Sequence, residues 1–221
     1  MKNLLVPAVA FLMGLLIATS APAQSNAARA SANVDLAARL KEVEANPKLT
    51  EQLLKTGKSV AGFCANCHGD GGNSVKPDIP NLAGQNPAYL LDQLRKFSVG
   101  LRRNEFMEGM IKALTSDEKV GIVLFFSSQK VLSNPSRVDE QQLSNGKRIY
   151  TEVCWRCHGT DGHGNESFAR IAGQQAPYLS ATIKQYRSGV GTRTNALMNA
   201  NTKILRDSDI DAVVAYVSHL Q

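Results

Sequence analysis

Fifteen residues from Leu4 to Ala18 run almost without a polar side chain behind a single Lys2, and they lead into Thr19-Ser20-Ala21-Pro22-Ala23. A short apolar stretch closed by an Ala-x-Ala end reads as a secretory leader, residues 1–23, cleaved after Ala23. It falls short of the ~20 apolar residues that a membrane-spanning helix requires, and no second run of this kind follows. The pattern then becomes amphipathic. Asn33 to Lys55 alternates apolar and charged residues at helical spacing with a break at Asn46-Pro47, so residues 24–55 are expected to form an arm carrying two short helices.

From Gly57 onward the pattern is stated twice. Cys64-Ala65-Asn66-Cys67-His68-Gly69 returns ninety positions later as Cys154-Trp155-Arg156-Cys157-His158-Gly159. Ala83-Gly84-Gln85 returns as Ala172-Gly173-Gln174, eighty-nine later, and Asn104-Glu105-Phe106-Met107 as Asn195-Ala196-Leu197-Met198, ninety-one later. A near-constant offset with one-residue slips marks two copies of one domain, 56–132 and 141–221, joined by a linker at 133–140 with Asn-Pro and charged residues. Within each copy a helix is expected to start near Gly57 or Gly146 and run into the first Cys. Asn86-Pro87 has the chemistry of a capped helix start, and that helix should reach Phe97. Thr115 to Glu118 has capping-box spacing and opens the last helix of the first copy, with Asp207 to Asp209 opening its counterpart near the C-terminus. No segment alternates as a strand, so the fold class is all-α.

Composition changes this picture in one respect. Apolar residues are 43% of the 221, enough for packed cores, yet aromatics are only 6%, with a single Trp155. The four Cys could make two disulfides, too few for a disulfide scaffold at this length. All four instead fall in two Cys-x-x-Cys-His motifs at the same place in the repeat. That spacing is the attachment signature of a c-type haem, because two thiols can add across the porphyrin vinyl groups while the adjacent His reaches the iron. A zinc site would need a fourth ligand, and a thioredoxin-like pair would sit in a βαβ setting. Both fit less well than two covalently attached haems, held by Cys64 and Cys67 and by Cys154 and Cys157, with His68 and His158 as axial ligands.

The sixth ligand decides between carrier and catalyst. Beyond the leader only Met107, Met110 and Met198 remain. Met107 precedes Leu114 by the seven residues that separate Met198 from Leu205, so Met107 and Met198 are the expected ligands and Met110 a neighbour. His163 lies too close to His158 to cross to the other haem face, and His219 suits the last turn of a helix. His/Met ligation fills both axial positions and raises the iron potential relative to His/His. An electron carrier is therefore expected, not an enzyme.

These residues resemble those of class I c-type cytochrome domains, and the tandem resembles the dihaem cytochrome c4 family. The resemblance is carried by FCANCHGDGGNS, IPNLAGQNPAYLLDQL and RRNEFMEGMIKALTSDE in the first copy, and by CWRCHGTDGHGN, IAGQQAPYLSATIKQYRSG and RTNALMNANTKILRDSDIDAVVAYV in the second. It implies a periplasmic carrier, soluble or peripherally membrane-bound, passing electrons from a quinol-oxidising complex or dehydrogenase towards a terminal oxidase or reductase. It also implies a Pro carbonyl that accepts the proximal His N–H. Pro80 matches that place in the first copy, whereas Ala169 stands there in the second.

Two rival functions stay open at this point: a cytochrome subunit of a dehydrogenase or oxidase complex, and a dihaem peroxidase-type enzyme with one five-coordinate iron. Charge bears on partners. The formal +6 becomes +5 on side chains once Lys2 leaves with the leader, and four haem propionates bring it near +1. Arg95-Lys96 and Arg102-Arg103 form the densest basic cluster, read either as a solvated helix face or as a contact for propionates or an acidic protein partner. Nucleic acid and small-molecule substrates are not expected, because the basic residues lack the density and aromatic interleaving of nucleic-acid binders.

Overall fold

The computed structural model of the chain describes residues 35–132 and 137–221. The leader, the start of the arm and residues 133–136 of the linker lie outside the described residues. All regular elements among the described residues are helical. In chain order they are α1 (Leu36–Glu44), α2 (Pro47–His68), a 3-10 turn (Asp70–Gly72), α3 (Pro87–Ser98), α4 (Glu105–Ala113) and α5 (Ser116–Ser127) in the first half. The second half holds α6 (Glu140–Ile149), a π-helical turn (Tyr150–Cys154), α7 (Trp155–His158), α8 (Ala176–Ser188), α9 (Ala196–Thr202) and α10 (Asp207–His219).

Helix starts follow local side-chain chemistry. Asp35 accepts from the N–H groups of Ala37 and Ala38 and opens α1. Asn46 accepts from Leu49 N–H, with Pro47 in the first helical turn, and opens α2. The helix expected to begin near Gly57 therefore begins at Pro47 and runs unbroken to His68, so the second arm helix and the Cys-bearing helix are one. Thr115 and Glu118 form the anticipated capping box of α5. Asn86 departs from expectation. It precedes α3 but makes no side-chain cap bond, and its amide instead donates to the carbonyls of His163, Asn165 and Phe168 in the other half.

Gly57 is not a helix start but a crossing point. A Cβ added there would stand 1.9 Å from Gly121 O, so α2 and α5 meet backbone to backbone. Gly146 plays the same part in the second half, where a Cβ would stand 2.1 Å from Ala212 O of α10. These two glycines are eighty-nine positions apart, whereas Cys64 and Cys154 are ninety apart. The second copy thus has one extra residue between crossing and Cys, and the π-helical turn at Tyr150–Cys154 absorbs it. The one-residue slip in the repeat has a definite location and form.

Two cores result. Leu53, Leu90, Leu94, Phe97, Ile111, Val120, Val123 and Phe126 fill the first, while Ile149, Tyr150, Leu179, Leu205, Ile210, Val213 and Val217 fill the second. The arm belongs to the first core: Leu40 and Val43 of α1 are buried in it. Arg39 also forks onto Asp117 in the first turn of α5, Nε to Oδ1 at 2.9 Å and Nη2 to Oδ2 at 3.1 Å. The described part of the arm is a brace. Helix α5 is apolar on most of its surface because α2, α3 and α1 enclose it.

Candidate functional site

In the last turns of α2, Cys64, Cys67 and His68 fall at positions i, i+3 and i+4, which places them on one helix face. Cys64 packs against the first core. In the second half, Cys154 closes the π-helical turn and packs against the second core, and Cys157 and His158 follow in α7. All four cysteines are unpaired. Burial pushes the Cys154 thiol up to about 12, and burial raises Cys64 as well. A redox-active dithiol needs the opposite shift, towards thiolate. Among the described residues no cluster of three or more His, Cys, Asp or Glu side chains gathers into a metal cage.

His68 and His158 are both buried, and each is fixed by one ring nitrogen. His68 Nδ1 lies 2.8 Å from Pro80 O, and His158 Nδ1 lies 2.9 Å from Ala169 O. A carbonyl oxygen can only accept, so Nδ1 carries the proton in each ring and Nε2 presents its lone pair. Burial lowers the pKa of both imidazoles below the usual histidine value, which favours their neutral form. Ala169 serves where Pro was expected because the acceptor is backbone. Gly162 O accepts from the N–H groups of Ile171 and Ala172, as Gly72 O does from Leu82 and Ala83, so the same bonds hold both loops.

The methionines share one register. Met107 N–H donates to Asn104 Oδ1, and Met198 N–H donates to Asn195 Oδ1, each at 3.0 Å. Each Met thus sits in the first turn of a short helix, α4 or α9, behind an Asn cap. Met107 packs against the first core, as Cys64 does, and Met198 is half-buried. His163 is on the surface, bonded through Nε2 to Gln221 O.

The basic cluster divides. Arg95 and Lys96 both pair with Asp92, and Arg103 pairs with Glu108. Arg102 instead donates to Gln93 Oε1 of its own half at 3.1 Å and to Tyr178 Oη of the other half at 3.2 Å. Its repeat equivalent Arg193 is buried, and it donates to Tyr89 Oη at 2.8 Å and to Tyr178 Oη. Among the described residues neither guanidinium meets a carboxylate; the partners are hydroxyls and an amide. A buried and a half-buried positive charge with only neutral partners call for an anion. A haem brings carboxylates, so the donor set and this charge pair both fit that group.

Sequence reasoning missed the contacts that join the halves. Asn81 N–H donates to Gln174 Oε1 at 2.7 Å and Gln174 Nε2 donates back to Asn81 O at 3.0 Å. Reciprocally, Arg170 N–H donates to Gln85 Oε1 at 2.7 Å and Gln85 Nε2 donates back to Arg170 O at 2.9 Å. The signal was present: Ala-Gly-Gln occurs once in each copy at the same register.

Two helical domains, each carrying a Cys-x-x-Cys-His segment whose histidine is buried, have the attachment chemistry of a c-type cytochrome with two haem centres. Comparison with known proteins agrees. The family model described as Cytochrome c matches residues 54–125 and 143–221. Cytochrome c4 of Thiocapsa roseopersicina is 32% identical over 171 residues, covering 72% of this chain and 88% of that protein. The crystal structure of reduced recombinant cytochrome c4 from Pseudomonas stutzeri matches with a TM-score of 0.69 at 29% identity, covering 76% of this chain and 98% of that one. A thiosulfate dehydrogenase electron acceptor of Thiomonas intermedia is 34% identical over 140 residues, 58% of this chain and 64% of that protein. The chain belongs to the cytochrome c family, in its dihaem cytochrome c4 branch, and is an electron-transfer cytochrome with two covalently bound haem c groups.

Proposed function

We propose that this cytochrome is exported to the periplasm, with residues 1–23 as leader, and carries single electrons from a quinol-oxidising complex or dehydrogenase to a terminal oxidase or reductase. Cys64, Cys67, Cys154 and Cys157 hold the haems through thioether bonds. His68 and Met107 ligate the first iron, and His158 and Met198 the second. The observation that carries this reading is the duplication of the whole set: a histidine pinned through Nδ1 with Nε2 presented, and a capped Met in the same register, once in each domain. When bound, each haem supplies a ferric/ferrous couple. The chain's part is to orient His68 and His158, to exclude water with the two cores, and to offset haem carboxylate charge with Arg102 and Arg193.

The Thiomonas relative's name supports a dehydrogenase as donor. No helix among the described residues is long and apolar enough to cross a membrane, which suits a carrier that moves between partners or rests on a membrane surface. The test is a spectroelectrochemical titration of the purified holoprotein with a pyridine haemochrome count. Two haems are expected, with the long-wavelength sulfur-to-iron charge-transfer band weakened stepwise by Met107→His and Met198→His. A count other than two, or a band indifferent to both substitutions, overturns the ligand set. Tight carbon monoxide binding by the native ferrous protein would revive the peroxidase-type alternative.

A further inference from the structure

We infer that Gln85 and Gln174 are positioning residues that act across the domain interface, each tuning the haem of the opposite domain through a single peptide group. The inference rests on the reading of His68 and His158 as axial ligands and goes beyond it.

Each proximal histidine donates its Nδ1–H to a carbonyl, and that carbonyl belongs to a peptide whose N–H crosses to the other domain. His68 donates to Pro80 O at 2.8 Å, and the N–H of the same peptide, on Asn81, donates to Gln174 Oε1 at 2.7 Å. His158 donates to Ala169 O at 2.9 Å, and the N–H of that peptide, on Arg170, donates to Gln85 Oε1 at 2.7 Å. Each glutamine oxygen also accepts the N–H of its own successor, Asn86 or Gln175, at 3.0 Å, which fixes its direction. Gln85, Gln174 and Asn81 are buried, so water does not compete for these bonds. The two chains of bonds are built alike and run in opposite directions.

A peptide is one conjugated unit. An acceptor on its N–H pushes electron density onto its oxygen, and that oxygen becomes a better acceptor for the imidazole N–H. A stronger acceptor raises ligand basicity and stabilises the ferric ion. Removing the glutamine oxygen therefore weakens the histidine bond in the opposite domain and favours the ferrous state there. Loosening the interface has the contrary effect, because water admitted beside a haem stabilises the extra ferric charge. It would also act on both haems.

Gln174→Met keeps length and burial while removing the acceptor. In the holoprotein it should shift the first haem's ferric/ferrous equilibrium about threefold towards ferrous, which is about 30 mV at 59 mV per tenfold for one electron. The hyperfine-shifted ring protons of His68 should move while those of His158 hold, and Asn81 N–H should lose its protection from hydrogen exchange. Gln85→Met should do the reverse, moving His158 and exposing Arg170 N–H. Should Gln174→Met fail to fold, Gln174→Asn keeps the amide but lacks the reach and carries the same expectation. Equal shifts at both haems, a shift confined to the glutamine's own domain, a shift towards ferric, or no shift overturns the inference. Absence of histidine hyperfine signals in the unsubstituted holoprotein would instead overturn the ligand reading beneath it.

Discussion

Gly57→Ala is the sharpest perturbation of the fold that holds the first haem site. The added methyl would lie 1.9 Å from Gly121 O, 2.1 Å from Gly121 C and 2.8 Å from Ile122 N, all backbone atoms that cannot rotate away. Restoring ordinary contact at about 3.4 Å requires α2 and α5 to part by about 1.5 Å. Leu53, Val120 and Val123 pack around that crossing and lose contact as it opens. Overpacking of this kind costs about 3 kcal/mol, and the better helix propensity of Ala returns about 1 kcal/mol. The net is about 2 kcal/mol, or about 10 °C in the first domain's melting midpoint. Gly62→Ala is the internal control. It lies in the same helix, nothing stands within 4 Å of its added Cβ, and it should stabilise by about 0.5–1 kcal/mol through propensity alone. Urea and thermal unfolding of the holoprotein, followed by helical ellipticity, reads both. A Gly57→Ala protein as stable as the unsubstituted one, or a Gly62→Ala protein equally damaged, refutes the backbone-contact argument.

The arm, the interface and the surface of α3 give three more expectations. A double-mutant cycle on Arg39→Ala and Asp117→Ala should show a coupling of about 0.5–1 kcal/mol, small because both groups reach solvent; no coupling would mean that only Leu40 and Val43 fasten the arm. Asn86→Ala removes three bonds to carbonyls of the second domain and no cap of its own helix, so proteolysis of the 133–140 linker should accelerate while hydrogen exchange in α3 stays unchanged. For Asp92, burial pushes the carboxyl up, but hydrogen bonds from Lys96 and Arg95 outweigh it and hold the pKa below the usual range. Its contribution is full above the unfolded carboxylate value of ~3.9 and fades as pH falls through the folded value. Asp92→Asn should therefore cost less than about 1 kcal/mol at neutral pH, and the difference should vanish in strong acid.

Much of this architecture was legible because it rests on local chemistry. Capping at Thr115–Glu118, the all-helical pattern and the doubled Cys-x-x-Cys-His each depend on residues a few positions apart, and each reappears in the structure. The errors arose where a residue type has two uses. Gly57 looked like a helix boundary because glycine is a poor helix former, yet its missing Cβ serves a crossing with Gly121, sixty-four positions away. Asn86 looked like a cap because it precedes Pro87, yet its amide finds better acceptors in the other domain. A partner that the chain brings from far away leaves no local trace, so periodicity cannot distinguish the two uses.

The repeat itself held more than a domain count. The extra residue of the second copy lies between Gly146 and Cys154, and a helix that keeps both its crossing and its Cys face absorbs it as a π turn. Gln85 and Gln174 stand at equivalent places in the two copies, as do Arg102 and Arg193. These are polar residues retained in both copies although none belongs to the Cys-x-x-Cys-His segment of either copy. A duplicated domain keeps such residues in register when the copies face one another, since a contact made by one face must be matched by its twin. Gln85, Gln174, Arg102 and Arg193 all reach across the interface, and this is why the two haem sites belong to one protein, not to two domains on a string.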